Sequence, residues 1–383
     1  MKNIKLNVFV CSLFLGMCSV FAQVDSLKVY FIGNSVTENL KPEAFESIVK
    51  GADKKITWGW DVIYGQALSY IWEHSGEGFI EPPYNGFENA LSAYEWDALT
   101  LQPYQRKISN SDGDFVSVFK FLDYAKLNSP DIQPYIYQRW PRLPAGVEAT
   151  AQSWDSLWLR SYDPQNTTRY DSRDYFETLT DTIRSQQTDT KKCLMIPVGE
   201  VMHQINKEMA DGNLPGFDNI WEVYNDDIHM KGMGSYIIAA TFYAVLYKSD
   251  PRGISAPGFY GWFTPEKKAV IQQAVYDVIL GYKDTQDKTW SGVDELTNVS
   301  TNSVTENQFT LIQSSNSLNI TFHAPFAQSV KRIQLYSITG QLVQSRISKQ
   351  ECTLNLPNNG VYILCIEDIS DKTIFPTQRI IAK

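Results

Sequence analysis

One serine, one histidine and one aspartate stand where their types and spacing could do nucleophilic chemistry. Ser35 follows Phe31-Ile32-Gly33-Asn34 at the end of an apolar run, and His229 follows Asp226-Asp227-Ile228 just ahead of a helix-like stretch. A serine hydroxyl is a poor nucleophile until a base takes its proton and a third group orients that base. One turn of chain between Asp226 and His229 can set the carboxylate against one ring nitrogen and leave the other to face Ser35. Asp227 is the competing partner, although adjacent side chains more often point apart than converge. Negative charge developing on a substrate oxygen needs preorganised donors. The backbone amides of Ser35 and Gly65 are two candidates, the second because glycine lets the backbone approach a ligand closely. The side-chain amide of Gln102 is a third. Each of these residues alone is a weak signal, and their joint occurrence carries the reading. His74 and His203 read as surface or packing residues, and His323 lies far along the chain from this chemistry.

Positioning these groups requires a particular alternation of elements. Residues 27–32, 56–64, 97–101, 134–138 and 193–198 are short apolar runs that read as strands. Between and after them, residues 42–51, 87–94, 115–127, 174–186, 201–210, 233–246 and 265–282 read as helices. Strands alternating with helices imply βαβ units and a parallel sheet covered on both faces. In such sheets ligands bind outside the carboxyl ends of the strands. Ser35, Gly65 and Gln102 each fall just past such an end, after the first, second and third strands.

The composition changes near residue 283. Residues 284–307 are rich in Thr, Ser, Asn and Asp and read as a linker. Beyond it come short alternating runs at 309–312, 318–322, 333–336, 342–345, 353–356, 361–367 and 379–381, with turn signals at Thr339-Gly340 and Pro357-Asn358-Asn359-Gly360. That pattern predicts a small antiparallel β-sandwich. At the other end, Lys2 and Lys5, the apolar stretch 6–20 and Val20-Phe21-Ala22 read as a signal peptide over residues 1–22. The stretch is too short for a stable membrane span. The expected organisation is therefore a signal at 1–22, a catalytic domain at 23–283, a linker at 284–307 and a β-module at 308–383.

A net charge of -9 argues against nucleic acid as a partner. Outside the signal only Cys193, Cys352 and Cys365 remain, without CxxC spacing, so no zinc or redox site is expected. Cys352 and Cys365 either pair within the β-module or stay as buried thiols. No cofactor is called for.

With these residues in view, the chain resembles the SGNH/GDSL hydrolases. Gly33-Asn34-Ser35 with Thr37 resembles their first block, Gly65-Gln66-Ala67-Leu68 the second, and Asp226-Asp227-Ile228-His229 with Gly232 and Gly234 the last. The resemblance implies a flavodoxin-like three-layer α/β/α fold and hydrolysis of an ester, commonly a carbohydrate acyl ester. It implies Ser35, His229 and Asp226 as the catalytic residues. The third block normally supplies an asparagine after a glycine; here the strand ends Leu101-Gln102-Pro103, which makes Gln102 the replacement donor. The β-module resembles type IX secretion sorting domains in residues 333–340, 356–362 and 379–383. That likeness implies the secretion machinery of a Bacteroidetes-type exporter as a partner, and a secreted or cell-surface destination.

An exported esterase points to an extracellular polysaccharide or oligosaccharide. Trp58, Trp60, Trp72, Trp140, Trp154 and Trp158 lie in or near segments after strand ends, where rings could stack on sugars, although most are expected in the core. Asn34, Arg139 and Trp140 are candidate substrate contacts, and Arg139 with Arg142 could recognise an anionic glycan. Two alternatives stay open: a non-catalytic glycan-binding protein on the same scaffold, or an enzyme cleaving a glycosidic or sulfate ester bond.

Overall fold

Strand β1 (Ser26–Gly33) lies inside a six-stranded sheet together with β2 (Lys55–Val62), β3 (Phe79–Ile80), β4 (Ala98–Leu101), β5 (Gln133–Tyr137) and β6 (Leu194–Ile196), in the order β3-β2-β1-β4-β5-β6. The computed structural model describes residues 25–297 except 105, 110, 167–168, 256–257 and 262, and residues 309–382 except 315–316, 324–325, 338–340, 358–359 and 370–377. The expected signal peptide, the later part of the expected linker and two of the expected turns fall outside those residues.

All pairings in this sheet are parallel except that of β3 with β2. Leaving out the short antiparallel β3, the strand order is the flavodoxin-like one, with β1 at the point where the winding reverses. Val29, Tyr30, Phe31 and Ile32 have no exposed surface, so β1 shows no alternation. That is the mark of a strand covered on both faces.

The helices are α1 (Ser35–Glu38), α2 (Pro42–Gly51), α3 (Leu68–Glu73), α4 (Phe87–Ala93), α5 (Asp114–Lys126), α6 (Ala151–Trp158), α7 (Arg173–Gln186), α8 (Val198–Ala210), α9 (Gly232–Tyr247) and α10 (Pro265–Gly281). Helices α2, α8 and α10 pack about α9, while α3, α4 and α7 gather about α5. Right-handed crossovers that wind in opposite directions from β1 put these groups on opposite faces. Helix α9 is buried all round, as its uniformly apolar sequence requires. Among the described residues no helix is long and apolar enough to cross a membrane.

Residues 284–297 correct the expected linker. Trp290, Ser291 and Val293 are buried, the Trp290 carbonyl accepts from Met195 N at 2.9 Å, and Arg184 lies over the Trp290 ring. The polar composition misled because two apolar residues suffice to seat this segment against β6.

The C-terminal strands β7 (Phe309–Ser314), β8 (Ser317–Phe322), β9 (Lys331–Ser337), β10 (Leu342–Ser348), β11 (Glu351–Asn355), β12 (Gly360–Asp368) and β13 (Gln378–Ala382) form two antiparallel sheets, β10-β9-β12-β13 and β11-β8-β7. Alternate residues such as Leu318, Ile320, Ile333, Leu335, Leu354 and Leu364 turn inward to a separate core. Among the described residues no disulfide joins Cys193, Cys352 or Cys365.

Candidate active site

Ser35 opens α1 at the carboxyl end of β1. Asn34 caps that short helix: its Oδ1 accepts from Val36 N at 3.0 Å. The Asn34 Nδ2 donates to the Gln66 carbonyl at 3.0 Å, tying the serine turn to the segment after β2. That segment is a tight turn closed by Gln66 N donating to the Ile63 carbonyl, with Gly65 at φ +70°. A residue at this place in a type II turn needs positive φ, which is why glycine stands there. Among the described residues no protein acceptor takes the amide of Ser35 or of Gly65.

The Asp226–His229 segment is a loop folded on itself. Asn225 N donates to the His229 carbonyl at 2.7 Å, and the Asp226 Oδ1 accepts from the amides of Ile228 and His229 at 2.9 and 2.7 Å. The second carboxylate oxygen, Oδ2, lies 2.8 Å from His229 Nδ1, and His229 Nε2 lies 2.8 Å from Ser35 Oγ. Partial burial would raise the Asp226 pKa. The two amides and the imidazole outweigh it and hold the carboxyl down at about 2. An ionised carboxylate only accepts, so Nδ1 carries a proton toward Asp226, and in the neutral ring Nε2 is then the acceptor facing the Ser35 hydroxyl. Asp227 turns away to pair with Arg142.

Neighbouring groups fix this loop. Trp140 Nε1 donates to the Ile228 carbonyl at 2.7 Å, and Leu143 N donates to the Asp227 carbonyl at 2.8 Å. Asn39 joins the two halves directly: its Nδ2 donates to the Ser35 carbonyl at 2.7 Å and its Oδ1 accepts from Met230 N at 2.5 Å. Sequence reasoning missed Asn39, because its partner stands 191 residues away. Its position four residues after Ser35, at the end of a short helix, was the available signal.

The structure thus brings Ser35, His229 and Asp226 together, with Gly65 on the adjoining loop. It buries the other candidates or engages them elsewhere. Gln102 is wholly buried; its Oε1 accepts from Asn34 N at 3.4 Å and its Nε2 donates to the Pro103 carbonyl. It packs over Gly33, where an added Cβ would lie 2.8 Å from Gln102 Cβ, and so supports the serine turn from behind. Asn34 is buried, with both ends of its side-chain amide engaged within the protein. Arg139 is buried beside Asp171 at 3.5 Å, and Trp140 has no exposed surface. Trp154 and Trp158 are fully buried too, donating to Tyr224 and Glu200, and Trp72 packs against Phe87 and Phe121. Trp58 and Trp60 are half-buried on β2. Arg142 alone of the rim arginines is partly exposed, and Asp227 and Tyr104 hold it. Cavities of about 620 and 490 Å³ open elsewhere, and neither is lined by Ser35.

Comparisons with known proteins give low likenesses for the larger domain. A DUF4886 family protein from Bacteroides uniformis is 16% identical, with 69% of this chain and 98% of that one covered and a TM-score of 0.47. A carbohydrate esterase family 3 protein from Talaromyces cellulolyticus is 14% identical, with 58% and 97% covered and a TM-score of 0.35. A protein from Parabacteroides merdae described as a GDSL-like lipase is 13% identical, with 58% and 96% covered and a TM-score of 0.34. No curated protein matches the chain. The family described as secretion system C-terminal sorting domain matches residues 314–383, so the seven-stranded module is similar to domains that direct export.

Proposed function

We propose that this chain is an exported serine esterase that removes acyl groups from extracellular carbohydrate. The observation that carries the reading is the unbroken run from Asp226 through His229 to Ser35, with both links at 2.8 Å, at the carboxyl end of β1. In this reading the Ser35 Oγ attacks the acyl carbon as His229 Nε2 takes its proton. The amides of Ser35 and Gly65 receive the developing oxyanion. Collapse breaks the bond to the sugar oxygen, which leaves with the proton from His229. Water, activated by the same ring nitrogen, then attacks the acyl-serine and releases the carboxylic acid. Asp226 keeps the imidazole in the required tautomer throughout. His229 is 37% exposed, which suits an acyl group presented on a bulky substrate rather than an enclosed lipid chain. Export rests on the residues 314–383 match and on the signal-like residues 1–22.

The test is hydrolysis of acetyl esters by the full chain. Ser35→Ala and His229→Ala should each lower kcat by at least about 10⁴-fold, with circular dichroism unchanged. Undiminished turnover in either variant refutes the reading.

A further inference from the structure

Among the described residues the exposed aromatic side chains are concentrated in one place. Among the large exposed hydrophobic side chains the three aromatics are Tyr64, Tyr70 and Phe79, and all lie in the segment that leaves the carboxyl end of β2. Tyr70 is taken up by stacking on His74. Tyr64 and Phe79 face each other with centroids 4.5 Å apart and planes 30° apart, while remaining 44% and 51% exposed. Pairing of Val62 with Phe79 across β2 and β3 sets the second ring beside the first.

This pair adjoins the candidate active site. Tyr64 immediately precedes Gly65, and its hydroxyl donates to Glu38. Glu38 ends the four-residue helix that Ser35 begins, one turn away, a spacing of roughly 5–6 Å between Cβ atoms. A ligand lying over the two rings and against Glu38 is therefore about one helical turn from Ser35. The local charge narrows its nature. From residue 56 to residue 105 the sequence has no Lys or Arg, and Glu77 and Glu81 flank Phe79 in the chain; the cations that reach this region are matched, Lys41 Nζ lying 3.4 Å from Glu38 and Lys120 Nζ 3.6 Å from Glu73. With each of these cations matched by a carboxylate and Glu77 and Glu81 in addition, no surplus positive charge is left to hold an anionic ligand, whereas a carboxylate such as Glu38 accepts hydrogen bonds from hydroxyl groups. An aromatic face beside a hydroxyl acceptor matches the two sides of a sugar, its C–H face and its hydroxyl rim.

We propose that Tyr64 and Phe79 form a stacking platform for an uncharged pyranose ring of the substrate, with Glu38 accepting from its hydroxyls. This rests on the esterase reading for the bond broken, not for the binding surface. It replaces the anionic glycan expected from Arg139 and Arg142, one buried and the other held by Asp227.

The test measures binding apart from turnover. The full chain carrying Ser35→Ala is titrated calorimetrically with neutral acetylated oligosaccharides of glucose, xylose, mannose and N-acetylglucosamine, and with an oligogalacturonide. Saturable binding of a neutral member is expected, weakened about tenfold by adding Phe79→Ala or Tyr64→Ala. Tyr64→Phe, which keeps the ring, should stay within about threefold of the parent. Unchanged affinity in both alanine variants, binding of the oligogalacturonide alone, or no saturable binding overturns the platform. Hydrolysis of ring-free ethyl acetate by the unsubstituted chain is followed separately. Its absence would count against the esterase reading and leave the binding result standing.

Discussion

Asn39 shows how closely the two halves of the site depend on one side chain. Its amide holds the Ser35 carbonyl and the Met230 amide at once, so it sets the approach of nucleophile to base without touching a substrate. Asn39→Ala should lower kcat by about 10–100-fold while KM changes less than about threefold, because small misplacements of reacting groups are costly. An equal loss of folded protein in thermal melts, with normal kcat in what remains, would reduce Asn39 to a stability role. Asp226 gives a pH expectation of clear sign. Its folded pKa, about 2, lies below the ordinary carboxylate value, so its stabilising contacts are present above that ordinary value and fade only as pH falls through about 2. The stability difference between the unsubstituted chain and Asp226→Asn, read by denaturant unfolding, should therefore stay constant above the ordinary carboxylate value and shrink as pH falls below it toward about 2; a difference that shrinks already near neutral pH would contradict this. The meeting of Ser35, His229 and Asp226 was legible in the sequence because residue type and the short spacing from Asp226 to His229 pointed to one site. Gln102 and Arg139 were misread because burial depends on contacts such as Gly33 with Gln102 and Asp171 with Arg139, between residues far apart in the chain.

At the scale of elements, the period of the pattern decided what could be read. The buried apolar strands and the seven alternating strands of the β-module were visible as such, with bounds within three residues. The short β3 and helices α3 and α6 were not, since too few residues are periodic, although Thr150 and Ser153 form the capping box that starts α6. A buried carboxyl joins two helices on one face of the sheet. Asp114, in the first turn of α5, accepts from the Tyr175 hydroxyl of α7, and complete burial pushes it up to about 7 despite that bond and the nearby Arg106 and Arg139. A carboxyl with a raised folded pKa contributes most stability below its unfolded value and loses it as pH rises toward about 7. The melting temperature of the unsubstituted chain should fall relative to Asp114→Asn between pH 4 and 7. Parallel profiles for the two proteins would mean that Asp114 is ionised in the folded state.

At the scale of the whole molecule, a parallel α/β domain with a candidate active site at its strand ends precedes a β-sandwich similar to export domains. Their border falls later than composition indicates, since Trp290 and Val293 belong to the first core. A chain ending at 297 should melt well above one ending at 283, and Trp290→Ala should cost about 3–5 kcal/mol in denaturant unfolding. Equal stability of the two truncated chains would restore the earlier border. The central claim, that His229 activates Ser35 as a nucleophile, is tested most directly by intact-mass spectrometry after treatment with a fluorophosphonate. The account predicts one adduct on Ser35, formed with loss of fluoride, and labelling slowed by at least about 10²-fold in His229→Ala. Labelling elsewhere, or at the same rate without His229, would contradict it.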